Sequence, residues 1–518
     1  MFFRSCLLLK MSLFAAQSVA ALLPAVNQLA ARTAALAACA ELTTLLGPSI
    51  VKSSGAEYEH AATNAWNLEN SEYSPTCIVF PNTTTHVQVA MTAIYHAESD
   101  FAVQAGSHSA MKGWNTVQDG VLIIFSSMQN VAYDVAQDTI ILEPGVHWHD
   151  AYASLEPHGV APLGGRAGDI GMGLLLGGGL SWLSPSHGYA ADMLKSVDVV
   201  LANGSLVTAT AGNEHSDLFR ALKGGGNRFG IATRYELYPV HTGTQENKTY
   251  FGGTILFDSN AEALLNATAK YVREVNDPNA GEFILMSFIN AVAGNNISPL
   301  YFLWAFYKGS ELPTEIFGDF LAIPSVFSQL GQLSYFELQE TLGLANERGQ
   351  IQHFGASALV GDETLYLNAF NLWNNFTTAH KEFFNMTTLA FTPIPESQIQ
   401  AGLARGGNII HAPHGQFAAV QIYEAFNSGI TEIPLSVQTA IGQLIEGSVI
   451  LFLDPQTSLT IDVFRIPPSP GLPLYLNECD PDQHVFESYG DYEMLKDIYA
   501  KYDPIRFNVR HCQGPVGL

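Results

Sequence analysis

The stretch "GGRAGDIGMGLLLGGGLSW", Gly164 to Trp182, decides between two kinds of cofactor-binding fold. Gly171, Gly173 and Gly177 nearly reproduce the fingerprint of a nicotinamide-binding Rossmann domain, and Asp192 follows near the distance of a ribose-binding acid. That fingerprint needs a hydrophobic strand directly before it and a helix directly after it, so that a pyrophosphate meets the helix N-terminus. Here Gly171 follows "LGGRAGDI", itself a loop, and the Rossmann reading fails on that context. A second cluster, "LKGGGNRFGIATRY", runs from Leu222 to Tyr235. Glycine lets amide N–H groups crowd an anion and takes the positive φ that such nests require. Two clusters in one region point to a ligand carrying a pyrophosphate, whereas either alone reads as a tight turn against a sheet. Neither a phosphate loop of the G-x-x-x-x-G-K-[ST] type nor a G-x-S-x-G nucleophile elbow occurs.

Around these clusters the chain alternates short Val/Ile/Leu runs with glycine loops. "CIVFP", "FAVQAG", "GVLIIF", "TIILEPG", "VDVVLANG" and "GIATRYEL" read as strands, and "HVQVAMTAIYHAES" as a helix. The character changes near Pro239. From Phe251 to about Arg465 longer patterns dominate, among them "AEALLNATAKYVREVN" and "TLYLNAFNLWNNFTTAHKEFFN", and the glycine clusters stop. A tail follows from Pro467, with "LYLNECDP" and a helical "YEMLKDIYAKYDP". At 518 residues, with 47% hydrophobic and 14% charged residues, the chain supports at least two cores. Its net charge of -25 repels nucleic acid and anionic membrane surfaces, so a small neutral or hydrophobic partner is expected.

The N-terminus reads as an address. Arg4 and Lys10 flank short apolar runs, and Ser18-Val19-Ala20 offers a small-x-small cleavage site, so residues 1–20 are expected to be a signal peptide. No later segment reads as long and apolar enough to span a bilayer. Sequons at Asn82, Asn203, Asn247, Asn266, Asn296, Asn375 and Asn385 fit a secreted, N-glycosylated protein. Of 5 cysteines, Cys6 falls in the address, leaving Cys39, Cys77, Cys479 and Cys512, an even set for disulfides in an oxidising compartment. His147-Trp148-His149 would put two imidazoles on one strand face, with Asp150 and His158 near. No third ligand is identifiable, and a metal is not expected.

Taken in order, "VQAGSHSAMKGWNTVQDGVLI", "EPGVHWHDAYASL", "PLGGRAGDIGMGLLLGGGLSWLSPSHGYAADMLKSVDVVLANG", "LFRALKGGGNRFGIATRYEL" and "LYLNECDP…YDP" resemble a fungal berberine-bridge-enzyme-like oxidase of the vanillyl-alcohol-oxidase flavoprotein superfamily. The resemblance runs from about Cys39 to the C-terminus. It implies an α+β, two-domain PCMH-type FAD-binding fold with an antiparallel-sheet substrate domain covered by helices. The expected divisions are 39–242 for the FAD domain, 243–465 for the substrate domain and 466–518 for a segment returning to the FAD domain. FAD is the implied cofactor, carried by His108 through the flavin 8α-methyl group. Gly106, Ser107 and Ser109 would surround that linkage. Gly164, Gly165, Gly168, Asp169, Gly171, Gly173, Gly177, Gly178, Gly179 and Gly188 would contact FAD from the first cluster. Asn227, Phe229, Gly230 and Ile231 would do so from the second, and Asn477 from the tail. Cys39 and Cys77 resemble the family's N-terminal disulfide pair.

Three departures from the family pattern stand out. Ser107 replaces a glycine, so its amide contact to the pyrophosphate is expected to survive only with negative φ. Many relatives attach the flavin a second time through a cysteine, but here Gly164-Gly165 is followed by Arg166 and Ala167, so a single covalent bond is expected. Tyr475-Leu476-Asn477-Glu478 stands where relatives have Tyr-x-Asn-Tyr, which puts Glu478 in the place of a tyrosine base. In an apolar pocket its pKa would rise toward neutrality, suiting it to proton transfer. Alternation along an extended segment would place Tyr475 and Asn477 on one face and Leu476 and Glu478 on the other, so only one pair would line the site. In "HAPHGQFAAVQIYEAF", His411, His414, Gln421 and Tyr423 are further candidates, Tyr423 and His411 as catalytic groups.

The implied function is oxidation of a small organic substrate of the secondary-metabolite kind by hydride transfer to flavin N5, with dioxygen as acceptor and with or without oxidative cyclisation. A carbohydrate oxidase on the same scaffold and a redox-neutral or ligand-binding flavoprotein are the alternatives. The expected state is monomeric. The aromatic segments "YFLWAFY" and "LYLNAFNLWNNF" suit an aromatic ligand and core packing equally well.

Overall fold

The computed structural model describes residues 28–279, 285–293, 296–343, 346–445 and 466–518. The expected signal peptide, with Cys6, and the end of the expected substrate domain near 465 lie outside them.

Val121–Ile124 is buried at every position, as a strand covered on both faces should be. It pairs in parallel with Cys77–Val79 on one side and Phe101–Gln104 on the other. Val51–Lys52 adds antiparallel to complete a four-stranded sheet. The helix Thr84–Ala97 makes the crossover, capped by the Thr83 side chain accepting from the His86 amide, with Val87, Ala90, Met91, Ala93 and Ile94 turned inward. Strand Phe101–Gln104 therefore delivers the chain to the carboxyl end of the parallel strands, where ligands bind in α/β arrangements, and the His108 loop begins there. A second, five-stranded antiparallel sheet runs Val131–Asp134, Thr139–Leu142, Ile231–Leu237, Leu194–Val200, Leu206–Thr210. Val200 and Ile231 from this sheet share one core with Val121, Ile123 and Phe125.

The third sheet has seven antiparallel strands, in spatial order Phe327–Leu333, Tyr250–Phe257, Asn296–Lys308, Leu285–Ala293, Phe384–Ile394, Phe417–Phe426 and Gln352–Leu359. Period-two alternation gives its faces different jobs. Phe288, Leu389, Phe391, Val420 and Ile422 pack under the helices Ala261–Glu274 and Glu363–His380. Ile289, Thr388, Gln421 and Tyr423 face the opposite way, toward a cavity. The aromatic segments follow this division. Tyr366 and Trp373 are core residues of a helix, and of Tyr301–Tyr307 only Trp304 lines the cavity.

Three readings need correction here. Trp148–Leu155 is a helix with His147 as its N-cap, so His147 and His149 do not share a strand face, and His149 pairs with Glu340 at 3.0 Å. The helix Gln28–Leu46 has the length and composition of a membrane span, which the sequence reading missed. Its many alanines and leucines make it apolar overall, with Arg32, Glu41, Thr43 and Thr44 among its polar residues, and Ala35, Ala38 and Leu42 are fully buried on one side. Cys39 joins Cys77 across a sequence separation of 38, docking the helix on the four-stranded sheet. A loop of that size contributes about 4 kcal/mol in the loop-entropy account. Cys479 and Cys512 are free and buried, so the even set forms one pair and not two.

Candidate functional site

One cavity of about 760 Å³ runs from the two N-terminal sheets to the seven-stranded sheet, a size within the usual range for ligand pockets. The two glycine-bearing loops meet at its centre. A Cβ on Gly171 would stand 2.3 Å from the Gly106 backbone nitrogen, and one on Gly106 would stand 2.6 Å from the Gly171 nitrogen. No side chain fits at either position without moving backbone. Beside them, a Cβ on Gly177 would meet Asn477 Oδ1 at 2.1 Å. Asn477 uses that room to donate to the Leu174 carbonyl at 3.0 Å and to the Tyr475 hydroxyl at 3.0 Å, holding the tail segment against the glycine loop.

His108 lies on the wall of this cavity, and its ring stacks on Trp66 with centroids 4.1 Å apart and planes 17° apart. The segment Asn64–Asn70 fixes the loop from behind. Trp66 N–H donates to the Ser107 carbonyl at 3.0 Å, Asn67 Nδ2 to the Ala110 carbonyl at 2.7 Å, and Asn70 Nδ2 to the Met111 carbonyl at 3.1 Å. Nothing local in the sequence marks these asparagines or Trp66, because their partners lie some forty residues away. Ser107 adopts φ +56°, not the negative value on which its amide contact to the pyrophosphate was expected to depend. A left-handed residue with a Cβ costs roughly 1–2 kcal/mol. Its hydroxyl offsets this by donating to the Asn64 carbonyl at 3.0 Å and accepting from Arg348 at 3.1 Å.

At the end facing the seven-stranded sheet, the expected alternation of Tyr475 to Glu478 does not form. Leu476–Glu478 is one turn of 3₁₀ helix, and all four residues line the cavity. Arg166 donates to Glu478 Oε1 at 2.8 Å and to Thr392 Oγ1 at 3.1 Å, with both charged side chains nearly buried. Burial raises the Glu478 pKa above its ordinary value, and the Arg166 guanidinium opposes that rise without cancelling it. Burial also raises the Tyr475 phenol, whose oxygen accepts from the Leu180 amide at 2.9 Å. Trp66, Phe354, Tyr423 and Trp304 supply aromatic walls, and Tyr423 donates to Gln352 Oε1.

The expected contacts divide. Gly106, Ser107, His108, Ser109, Gly171, Gly173, Gly177, Asn227, Gly230, Ile231 and Asn477 line the cavity, as do Tyr423, Tyr475 and Glu478. The other expected residues do not. Gly164 and Gly165 back onto the Trp148 ring, where any Cβ would lie within 2.5 Å of it. Gly168 bonds Gly343, and Asp169 pairs with Arg348. Gly178, Gly179 and Gly188 take positive φ around Tyr189–Asp192, and Phe229 packs on Tyr499. Asp192 is buried and accepts from Asn408 and the Tyr189 amide. His411 bonds Asp491 at 2.7 Å and His414 bonds Glu396 at 2.9 Å, both outside the lining.

Opposite the sheet, the tail closes the cavity. Arg228 is buried and donates to the carbonyls of Cys512 and Gly514 at 2.6 Å and of Pro515 at 2.8 Å. Asn115, Asn227 and Asn508 line this end with buried amide atoms that lack protein partners among the described residues. A second tie holds the Glu478 turn to the sheet edge. Gln483 mimics a strand partner, accepting from the Ala356 amide and donating to its carbonyl at 2.8 Å each. His353 bridges Glu424 at 2.9 Å and Asp480 at 2.7 Å. Burial alone would lower the His353 pKa, but the bonds to Asp480 and Glu424 push it up to about 10. A group raised in the folded state contributes fully below its unfolded pKa of about 6.5 and loses that contribution as pH climbs. From about pH 6.5 to about 10 the thermal midpoint should fall further for the parent than for His353→Gln, whose amide does not titrate. Parallel melting curves across that window would show that the bridge does not tie the tail.

Comparison with known proteins bears on this geometry. Residues 75–210 match the model of an FAD binding domain. An uncharacterized FAD-linked oxidoreductase of Arthroderma benhamiae is 29% identical over 82% of this chain and 83% of its own length. The bifunctional solanapyrone synthase of Alternaria solani is 26% identical over 90% of this chain and 86% of its own. The carbohydrate oxidase of Microdochium nivale superposes with a TM-score of 0.71 at 19% identity, covering 93% of this chain and 100% of that one, a likeness of fold. Residues 75–210 are thus an FAD-binding domain, FAD is the cofactor, and over most of its length the chain is similar to FAD-linked oxidoreductases.

Proposed function

We propose that this protein is a secreted oxidase that withdraws two electrons from a small, largely apolar organic molecule of the secondary-metabolite kind. The observation that carries the reading is the continuity of one cavity from the glycine-lined loops to a sheet face carrying Trp304, Phe354, Tyr423 and the Arg166–Glu478 pair. The residues fit FAD. Gly173 opens onto free space, Gly106 and Gly171 leave bare backbone for a pyrophosphate, and the unpartnered amide of Asn115 and amide oxygens of Asn227 and Asn508 suit the hydroxyl and base groups of a dinucleotide. His108 is the covalent anchor, and position 167, where many of the resembling relatives carry a second flavin-bearing cysteine, is alanine.

Bound in this cavity, FAD would supply two-electron redox chemistry, with dioxygen as terminal acceptor and hydrogen peroxide as its product. The chain supplies the rest. Glu478 takes the substrate proton, its basicity raised by burial, while Arg166 keeps the carboxylate aimed into the cavity. The apolar lining excludes water, and the aromatic walls orient a planar substrate. Secretion is supported by the Cys39–Cys77 disulfide and by the exposure of all seven sequon asparagines.

The polar row Gln352, Thr388 and Gln421 on the same sheet face, together with the fold shared with a carbohydrate oxidase, favours a sugar as the second reading. Anaerobic mixing with a panel of phenolic, polyketide and oligosaccharide compounds tests both. Bleaching of the flavin by aromatic or polyketide compounds, with peroxide on admitting air, is the expected result. Bleaching by sugars alone establishes the second reading, and substrate turnover without bleaching overturns oxidation.

A further inference from the structure

We propose that Arg348 is the positioning residue for attachment of FAD to His108, a role that rests on the reading of His108 as the covalent anchor. Its guanidinium joins three separate segments of the flavin-facing loops. One nitrogen donates to the Asn64 carbonyl at 2.9 Å and to Ser107 Oγ at 3.1 Å, and the other pairs with Asp169 at 3.0 Å. Each partner stands one or two residues before a residue central to the site. Asn64 precedes Trp66, whose ring stacks on His108; Ser107 precedes His108 itself; Asp169 precedes Gly171, whose backbone crosses Gly106.

A planar fork with several fixed donors can hold three acceptors in one arrangement, which a lysine cannot. The replacement of glycine by Ser107 makes this necessary. The residue must take φ +56° to turn His108 toward the cavity, and its hydroxyl has two partners to hold it there, Asn64 and Arg348. Arg348 comes from the loop that follows Gly343 in the other half of the chain, and that half is further stapled to the same region by the Gly168 amide donating to Gly343 and the Leu68 amide donating to Gln350. The His108 loop is therefore set only when the two halves have docked.

In the attachment step an imidazole nitrogen of His108 bonds the 8α carbon. One proton leaves the ring nitrogen, one leaves the methyl group, and the two electrons released pass through the flavin to dioxygen, giving peroxide. A step of this kind is sensitive to ångström-scale placement, so loosening the loop should slow bond formation by roughly 10-fold to 10²-fold while FAD still binds. The experiment incubates parent, Arg348→Gln, Arg348→Lys and Ser107→Ala with excess FAD in air and follows the flavin that survives acid precipitation against total bound flavin. All three variants should bind FAD but accumulate the acid-stable form slowly. Adding Ser107→Gly to Arg348→Gln should recover part of the rate, because glycine takes the left-handed conformation unaided. If Arg348→Gln does not fold, Arg348→Lys and Ser107→Ala decide. Acid-stable flavin forming at the parental rate in the folded variants overturns the role of Arg348. A parent whose flavin is released by acid overturns instead the covalent reading of His108.

Discussion

Glu478→Gln should lower turnover by roughly 10²-fold or more, the usual contribution of a positioned acid or base, while leaving flavin content unchanged. Glutamine keeps the size of the side chain and an oxygen to accept from Arg166, now 2.8 Å from the carboxylate, so the turn Leu476–Glu478 and the cavity wall are preserved. What it loses is exchange of a proton. Because burial raises the carboxyl pKa and Arg166 opposes that rise incompletely, the acid limb of the parental kcat profile should lie above the ordinary carboxylate value of about 4.3. Arg166→Met should move that limb higher still, since it removes the opposing charge. Glu478→Tyr, which restores the residue of the resembling family, should recover part of the rate with its optimum at higher pH, following a phenol pKa near 10. A glutamine variant that turns over like the parent would leave Tyr475 and Tyr423, two further titratable hydroxyls on the cavity wall, as the groups to replace next.

His108→Ala should abolish acid-stable flavin altogether. The cavity, the glycine crossing at Gly106 and Gly171, and the unpartnered amide atoms of Asn115, Asn227 and Asn508 remain, so FAD should still bind and then dissociate on denaturation. The effect is all-or-none because the remaining free thiol in the cavity lining, Cys512, lies at the opposite end among Asn508 and Pro515. Burial pushes that thiol up to about 11 against the pull of Arg228, which leaves it protonated and a poor nucleophile. Peptide mapping of acid-precipitated parent should find flavin on the peptide containing His108. A cysteinyl-flavin peptide, or acid-stable flavin in the alanine variant, would refute the single histidyl bond.

The departures around Arg166 and at Glu478 look unrelated in the chain, yet Arg166 and Glu478 meet in one contact. Where the resembling family has a second thiol and a tyrosine, this chain has Ala167 beside an arginine and a glutamate, and that arginine and glutamate form the ion pair over Thr392. A nearly buried pair of this kind is a weak source of net stability but is strongly disruptive to break singly. The pairing therefore holds the glycine loop, the sheet and the tail in one arrangement, and the same contact gives the proposed base its direction.

Which parts of this were legible in the sequence depended on range. The short strands, the helix now seen at Thr84–Ala97 and the loop after Gln104 were readable because their causes lie within a few residues: short Val/Ile/Leu runs, a helical stretch, small residues after an apolar run. The glycines announced that something comes close to the backbone, but not what. At Gly171 it is another loop, at Gly177 the Asn477 side chain, and at Gly164 and Gly165 the Trp148 ring. The faces of Tyr475 to Glu478 were misread because a short polar segment carries too little pattern to separate an extended strand from a single 3₁₀ turn. By itself the sequence determined the α+β class, the glycine-lined loops and the place of His108, all of which follow from local backbone freedom and hydrophobic period. Only the tertiary structure decided that Trp66 backs His108, that Arg348 braces Ser107, and that Arg166 meets Glu478 across 312 residues. Such contacts form when distant segments dock, and chain closure over that distance leaves no local pattern in the residues that make it.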